Sequence, residues 1–158
     1  VDDYVDLGGD EILQLKNDFT LAAWINPDEL ESYDRIVCNY DVGSGRYCLY
    51  VSGNRIAVSM RKPDGSNKGN VGGSLKIGEW QHVAGSYSKS DGKLRLYVDG
   101  KLVKSCYVGR FNLYGSKINT YVGSDVYGSS KNKFNGKIDE VRLYNRKLSD
   151  SEIGELYS

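Results

Sequence analysis

The chain has 158 residues, with 21 Lys plus Arg balanced by 21 Asp plus Glu. That length is one ordinary domain with room for a real core, and zero net charge excludes a general binder of nucleic-acid backbones, which needs a basic excess. No run of about 18 apolar residues occurs, so no helical membrane span is expected.

The chain opens on Val1 and its single Met is Met60, so it reads as a mature fragment or a piece excised from a longer protein, with any leader removed. Short strand-like runs bounded by turn residues then follow one another. Phe19–Ile25 (FTLAAWI) runs from Asn17-Asp18 to Asn26-Pro27. Arg35–Tyr40 and Tyr47–Ser52 flank a turn at Asp41–Gly45 and carry Cys38 and Cys48. If the register pairs these two, a cross-strand disulfide is possible and Cys106 is left over. Three free thiols are the other reading, since spacing alone does not set the geometry. No CxxC pair points to a zinc or redox site.

Ile56–Arg61 follows the turn pair Gly53-Asn54, and Pro63–Gly73 (PDGSNKGNVGG) reads as a flexible loop. Trp80–Tyr87 comes next. Lys93–Val98 and Leu102–Val108 flank Asp99-Gly100, a two-residue hairpin signal. Ile118–Val122 and Lys137–Tyr144 complete the strands. A short helix is expected over Ser149–Leu156, where Ser149 and Glu152 form a capping box and Ile153 and Leu156 face the strands.

Alternation sets the architecture. Leu94, Leu96 and Val98 share one face of their run, Arg95 and Tyr97 the other; Ile56, Val58 and Met60 oppose Arg55, Ala57, Ser59 and Arg61. Period two with one polar face predicts antiparallel sheets, each with a solvated side. The fold class is therefore all-β: a two-sheet antiparallel β-sandwich with a short C-terminal helix, as one domain over residues 1–158. The aromatic content, 13 Tyr against 3 Phe and 2 Trp, suits a half-wet sheet surface of the kind that binds sugars.

Four segments resemble the laminin-G-like, concanavalin A-like jelly-roll superfamily: DDYVDLG, DFTLAAWINPDE, GEWQHVAGSYSKSDGKLRLYVDGKLV and FNGKIDEVRLYNRKLSDSEI. The resemblance runs end to end. It implies a jelly roll similar to carbohydrate-binding modules appended to secreted polysaccharide-degrading enzymes. Adhesion or protein-interaction modules of cell surfaces are the alternative, and some branches are glycoside hydrolases or lyases. The expected partners are a polysaccharide or oligosaccharide and the attached domains of a parent protein, with a secreted or cell-surface location.

Chemistry is not expected. Glycoside hydrolysis usually needs two carboxylates about 5–9 Å apart, and the Glu-x-Asp-x-x-Glu pattern of the hydrolase branch is missing. Asp139 and Glu140, adjacent on a strand, should point to opposite faces. Asp28, Glu29 and Glu31 fall in a loop after Pro27. The lyase branch uses Gln-x-His, whereas Gln81 and His82 are adjacent here. His82, the single histidine, reads as a packed structural residue.

The resemblance also implies a structural calcium, with Asp139 as the last-strand ligand and Asp2 and Asp3 as first-strand equivalents. For the sugar, the strand ends supply Tyr33, Asp34, Arg35, Asn39, Tyr40, Asp41, Arg46, Tyr47 and Arg61, and the loop before the last strand supplies Asp125, Tyr127 and Lys131. These groups should line a concave face or a loop rim. Arg35, Arg46 and Arg61 on neighbouring strands suit an acidic or sulfated glycan. Trp24 and Trp80 lie in framework motifs and read as structural.

Overall fold

A computed structural model describes residues 3–41, 44–125 and 132–158. Eleven strands and a helix follow in order: β1 (Val5–Asp6), β2 (Phe19–Pro27), β3 (Arg35–Asp41), β4 (Ser44–Ser52), β5 (Arg55–Arg61), β6 (Asn67–Gly72), β7 (Gln81–Ser88), β8 (Lys93–Val98), β9 (Lys101–Tyr107), β10 (Tyr121–Val122), β11 (Gly136–Tyr144) and α1 (Asp150–Tyr157). They form two antiparallel sheets, β1-β10-β3-β4-β5-β6 and β11-β2-β7-β8-β9. The expected sandwich is present.

The apolar halves of the alternating strands meet between the sheets. Phe19, Leu21, Ala23 and Ile25 of β2, with Val83, Tyr87, Leu94 and Leu96, face Val37, Tyr47, Leu49, Val51, Ile56, Val58 and Met60. Gly85 marks how closely the layers approach. A Cβ there would stand 2.8 Å from Val58 and 3.2 Å from Leu49, so the position has room only for hydrogen. Asp99 and Gly100 take positive φ (49° and 73°), the geometry of the tight hairpin their sequence encodes.

Two expectations change. Pro63–Gly73 is not a loop throughout, because Asn67–Gly72 pairs along β5 as edge strand β6. Its run of Lys, Gly and Asn hides a strand held by backbone bonds and by Asn70, whose Nδ2 donates to Leu94 O (3.2 Å) across the sandwich. The outer face of the five-stranded sheet is also not simply solvated. Helix α1 covers part of it, burying Ala22, Ala84, Tyr97, Leu148 and Ile153. Thr20 Oγ1 pins the preceding segment by donating to Arg146 O (2.9 Å) and accepting from Leu148 N (3.0 Å).

The capping box is formed as expected. Ser149 Oγ accepts from Glu152 N (3.2 Å), and Glu152 Oε2 accepts from Ser149 N (2.8 Å). Replacing Ser149 by Ala should cost about 1 kcal/mol, a fall of roughly 2–4 °C in Tm for a domain of this size. Thermal denaturation measures it directly.

Candidate functional site

The outer face of the six-stranded sheet carries the candidate site. Strand alternation sends Tyr47, Leu49 and Val51 inward, and therefore Cys48 and Tyr50 outward. The register aligns Arg35 with Tyr50 and Cys38 with Cys48. A bulge between Arg35 and Val37 keeps Arg35 on the outer side while Ile36 and Val37 are both buried. The two aligned cysteines form a disulfide and Cys106 is free.

Arg35 lies on this disulfide, its Nη1 3.7 Å from Cys48 Sγ. Three tyrosines surround its guanidinium, with ring centroids at 5.6 Å (Tyr33), 5.3 Å (Tyr40) and 5.2 Å (Tyr50). The rings of Tyr33 and Tyr50 stack nearly parallel, 6.0 Å apart. Each contact is a cation–π attraction that strengthens as water is excluded, and Arg35 is only 8% exposed. No carboxylate of the described residues stands within ion-pair distance of it. Burial lowers the pKa of Arg35 below that of free arginine, and Asp125 and the tyrosines work in the opposite direction. Burial also raises the Tyr50 hydroxyl, against the pull of Arg35. The group forms one wall of an open pocket of ≈ 180 Å³, completed by Ser59, Asn67, Lys68 and Gly69.

The structure thus brings Tyr33, Arg35 and Tyr40 together, with Arg61 beside them. Arg61 packs over the Tyr40 ring (5.8 Å) and donates from Nη1 to Gly65 O (3.1 Å). Tyr50, Asn67 and Lys68 were missed in the sequence. Tyr50 was legible, since it alternates with two core residues directly opposite Arg35.

Other candidates fall elsewhere. Asp34 is buried and its Oδ2 accepts from Glu31 N (2.9 Å), closing the loop that precedes β3. Asn39 faces inward, donating to Ile118 O (3.0 Å) and Thr120 Oγ1 (3.2 Å). Tyr47 is a core residue whose hydroxyl donates to Leu13 O (2.8 Å), with burial pushing its pKa up to about 12. Arg46 leans the other way, donating to Gly115 O (2.6 Å). Asp125 accepts from Asn132 Nδ2 (2.6 Å) near Arg35. Tyr127 and Lys131 lie outside the described residues, as does Asp2.

Of the expected calcium ligands, Asp2 lies outside the described residues, and Asp3 and Asp139 are the two that can be placed. Among the described residues no three His, Cys, Asp or Glu side chains gather around one point. Asp139 stands on the outer side of β11, level with Trp24, whereas the Asp3 backbone passes Gly123 together with the inward-facing Ile138.

Asp139 and Glu140 correct a further expectation. The register of β11 on β2 shifts between Asp139 and Arg142, and Glu140 takes φ +46°. This bulge turns both acids toward one side, where they line a pocket with Trp24 and Trp80. Both carboxylates are exposed; Asp139 Oδ1 accepts from Glu140 N (2.7 Å) and Glu140 Oε2 pairs with Arg142 (3.1 Å).

His82 is packed as expected, 2% exposed and 5.5 Å from the Trp24 ring. Burial lowers its pKa; Asp99 and Glu140 oppose this and Arg142 reinforces it. The unfolded chain therefore takes up a proton first as the pH falls below about 6.5. Stability from neutral His82 is present above that pH and lost below it. Melting between pH 7 and 5 should show a smaller pH dependence in His82→Gln than in the parent; equal slopes would remove His82 as the cause.

Residues 1–154 match the laminin-G-type profile described as the concanavalin A-like lectin/glucanases superfamily. Among solved structures, the chain is similar to the Ruminococcus gnavus IT-sialidase CBM40 bound to α2,3-sialyllactose, with TM-score 0.80 and 16% identity over 98% of this chain and 92% of that one. A heptameric SAP-like pentraxin from Limulus polyphemus matches with TM-score 0.69 and 17% identity, over 92% of this chain and 73% of that one. The botulinum neurotoxin DC binding domain, solved in complex with SialylT, matches with TM-score 0.71 and 16% identity over 98% of this chain but 38% of its own length. At these identities the shared property is the fold.

Proposed function

The chain belongs to the concanavalin A-like lectin/glucanases superfamily, and from that premise we propose that it is a non-catalytic carbohydrate-binding module that takes an acidic sugar at Arg35. The observation that carries the reading is a nearly buried guanidinium walled by three tyrosines, facing an open pocket with no carboxylate of the described residues within ion-pair distance. A guanidinium presents paired donors that match a carboxylate or sulfate in a bidentate fork. Tyrosine rings offer flat apolar faces to the C–H side of a sugar, and their hydroxyls stay wet. Lys68, also in the lining, adds positive charge.

Two of the matched structures hold α2,3-sialyllactose and SialylT, and a sialic acid carries the carboxylate this pocket suits. The disulfide fits an oxidising compartment, in line with a secreted or surface-attached module. Calorimetric titration with sialyllactose and with lactose tests the proposal. The acidic trisaccharide should bind in the micromolar to millimolar range and lactose much more weakly. Equal affinities, or no binding of either a sialylated or a sulfated glycan, would reject it.

A further inference from the structure

The outer face of the other sheet carries a second aromatic pocket of opposite charge. Trp24 points outward from β2, because Ala23 and Ile25 on either side of it belong to the core. Its neighbours in register are Asp139 on β11 and His82 on β7, so the three side chains form a row across one face. Trp80 precedes His82 by two residues and is 46% exposed, an unusual cost for the largest aromatic side chain on a domain with a full core. Tyr157, at the end of α1, stacks on Trp24 with ring centroids 5.7 Å apart. Beyond the helix end, Trp24, Trp80, Asp139 and Glu140 enclose an open pocket of ≈ 280 Å³.

We propose that this pocket binds an organic ammonium group, as carried by an amino sugar or a lysine side chain. It is lined by two indoles, the strongest aromatic partners for a cation, and two carboxylates, which only accept hydrogen bonds when ionised. Arg142, the cation beside them, is already paired with Glu140. Asp139 holds its Oδ1 on the Glu140 N–H, which orients the carboxylate, and its Oδ2 accepts from no donor among the described residues. His82 beneath Trp24 is kept neutral by burial, so it does not compete as a cation. The Glu140 bulge matters here. Regular alternation would have sent Glu140 to the opposite face, and the left-handed φ of a non-glycine residue persists only where surrounding structure holds it. The two faces of the sandwich thus differ in sign: a cation among tyrosines on one, anions among tryptophans on the other.

Trp24 and Trp80 are the only tryptophans in the chain, so indole emission reports this pocket alone. Titration of the intact chain with glucosamine, Nα-acetyl-lysine amide and N-acetylglucosamine at low salt tests the proposal. At least one of the two amines should shift the emission saturably, and at least tenfold more tightly than N-acetylglucosamine; which amine does so identifies the source. Trp80→Ala, at an exposed position, should abolish the response without lowering Tm, and Asp139→Asn should weaken amine binding about tenfold. Absence of a saturable shift with both amines, equal affinity for N-acetylglucosamine, or an unchanged Asp139→Asn would overturn it. The proposal stands apart from the Arg35 reading, because an Arg35 variant that loses sialyllactose should keep the amine response.

Discussion

Arg35→Ala should remove sialyllactose binding from the calorimeter's range, with a loss of about 30-fold or more. A charge-bearing anchor at the centre of a small site typically contributes at least ~2 kcal/mol, and each ~1.4 kcal/mol is tenfold in Kd. The position is unusually clean for such a test. Arg35 makes no close ion pair with a carboxylate of the described residues, and Asp125, the acid that acts on it through charge, is also held by Asn132. Removing Arg35 therefore breaks no direct pair, the usual source of collapse when one half of a pair is deleted. Arg35→Met keeps the volume between the Tyr33, Tyr40 and Tyr50 rings and discards the charge; it should fold with a near-parental Tm and still fail to bind. Arg35→Lys keeps a charge but loses the planar fork, and should retain only part of the affinity. Raising the salt concentration should weaken binding by the parent and by Arg35→Lys, since both make the screened charge contact. Parental affinity in Arg35→Met would remove the site from this face.

How much of this was legible in the sequence divides along physical lines. The sandwich followed from period-two alternation, and the helix start from the Ser149–Glu152 pair, because these are local signals that tertiary structure left in place. The edge strand β6 did not, because NKGNVG lacks the β-branched alternation that marks a strand and is held by backbone pairing and by Asn70. Around the candidate pocket, Tyr33, Arg35 and Tyr40 come together, whereas Asn39 between them faces inward, a difference that nearness in sequence does not reveal. One residue of register separates a wall of the pocket from the core. Asp139 and Glu140 show the same sensitivity from the other side. Alternation put them on opposite faces, and a bulge that no turn residue announces brought them together. Trp80 read as framework because it sits in a family motif; its exposure is visible only in three dimensions.

Reduction of the Cys38–Cys48 bridge should lower Tm by about 6–10 °C and weaken the acidic-sugar site together with it. The two residues are 10 apart in sequence, pair directly across β3 and β4, and are fully buried. In the chain-entropy account, a loop of roughly this length removed from the unfolded ensemble is worth about 2.5–3 kcal/mol, and a domain of this size loses roughly 2–4 °C per kcal/mol. A double variant, Cys38→Ser with Cys48→Ser, measures the stability term free of reductant. The functional term arises because Cys48 Sγ is the floor on which the Arg35 guanidinium rests. Without the bridge, the β3–β4 hairpin is free to adjust its register near the bulges that flank Arg35 and Tyr40, and the three rings lose their common centre. Sialyllactose affinity should therefore fall several-fold under conditions where the reduced protein is still folded. The amine response of the tryptophan pocket should be unchanged, because that pocket is built on the other sheet. Since both sulfurs are buried, a mild thiol should reduce the bridge only as fast as the hairpin opens, so reduction rates measured with and without saturating sialyllactose should differ. Equal rates, with unaltered affinity after reduction, would show that the disulfide and the arginine are neighbours without being coupled.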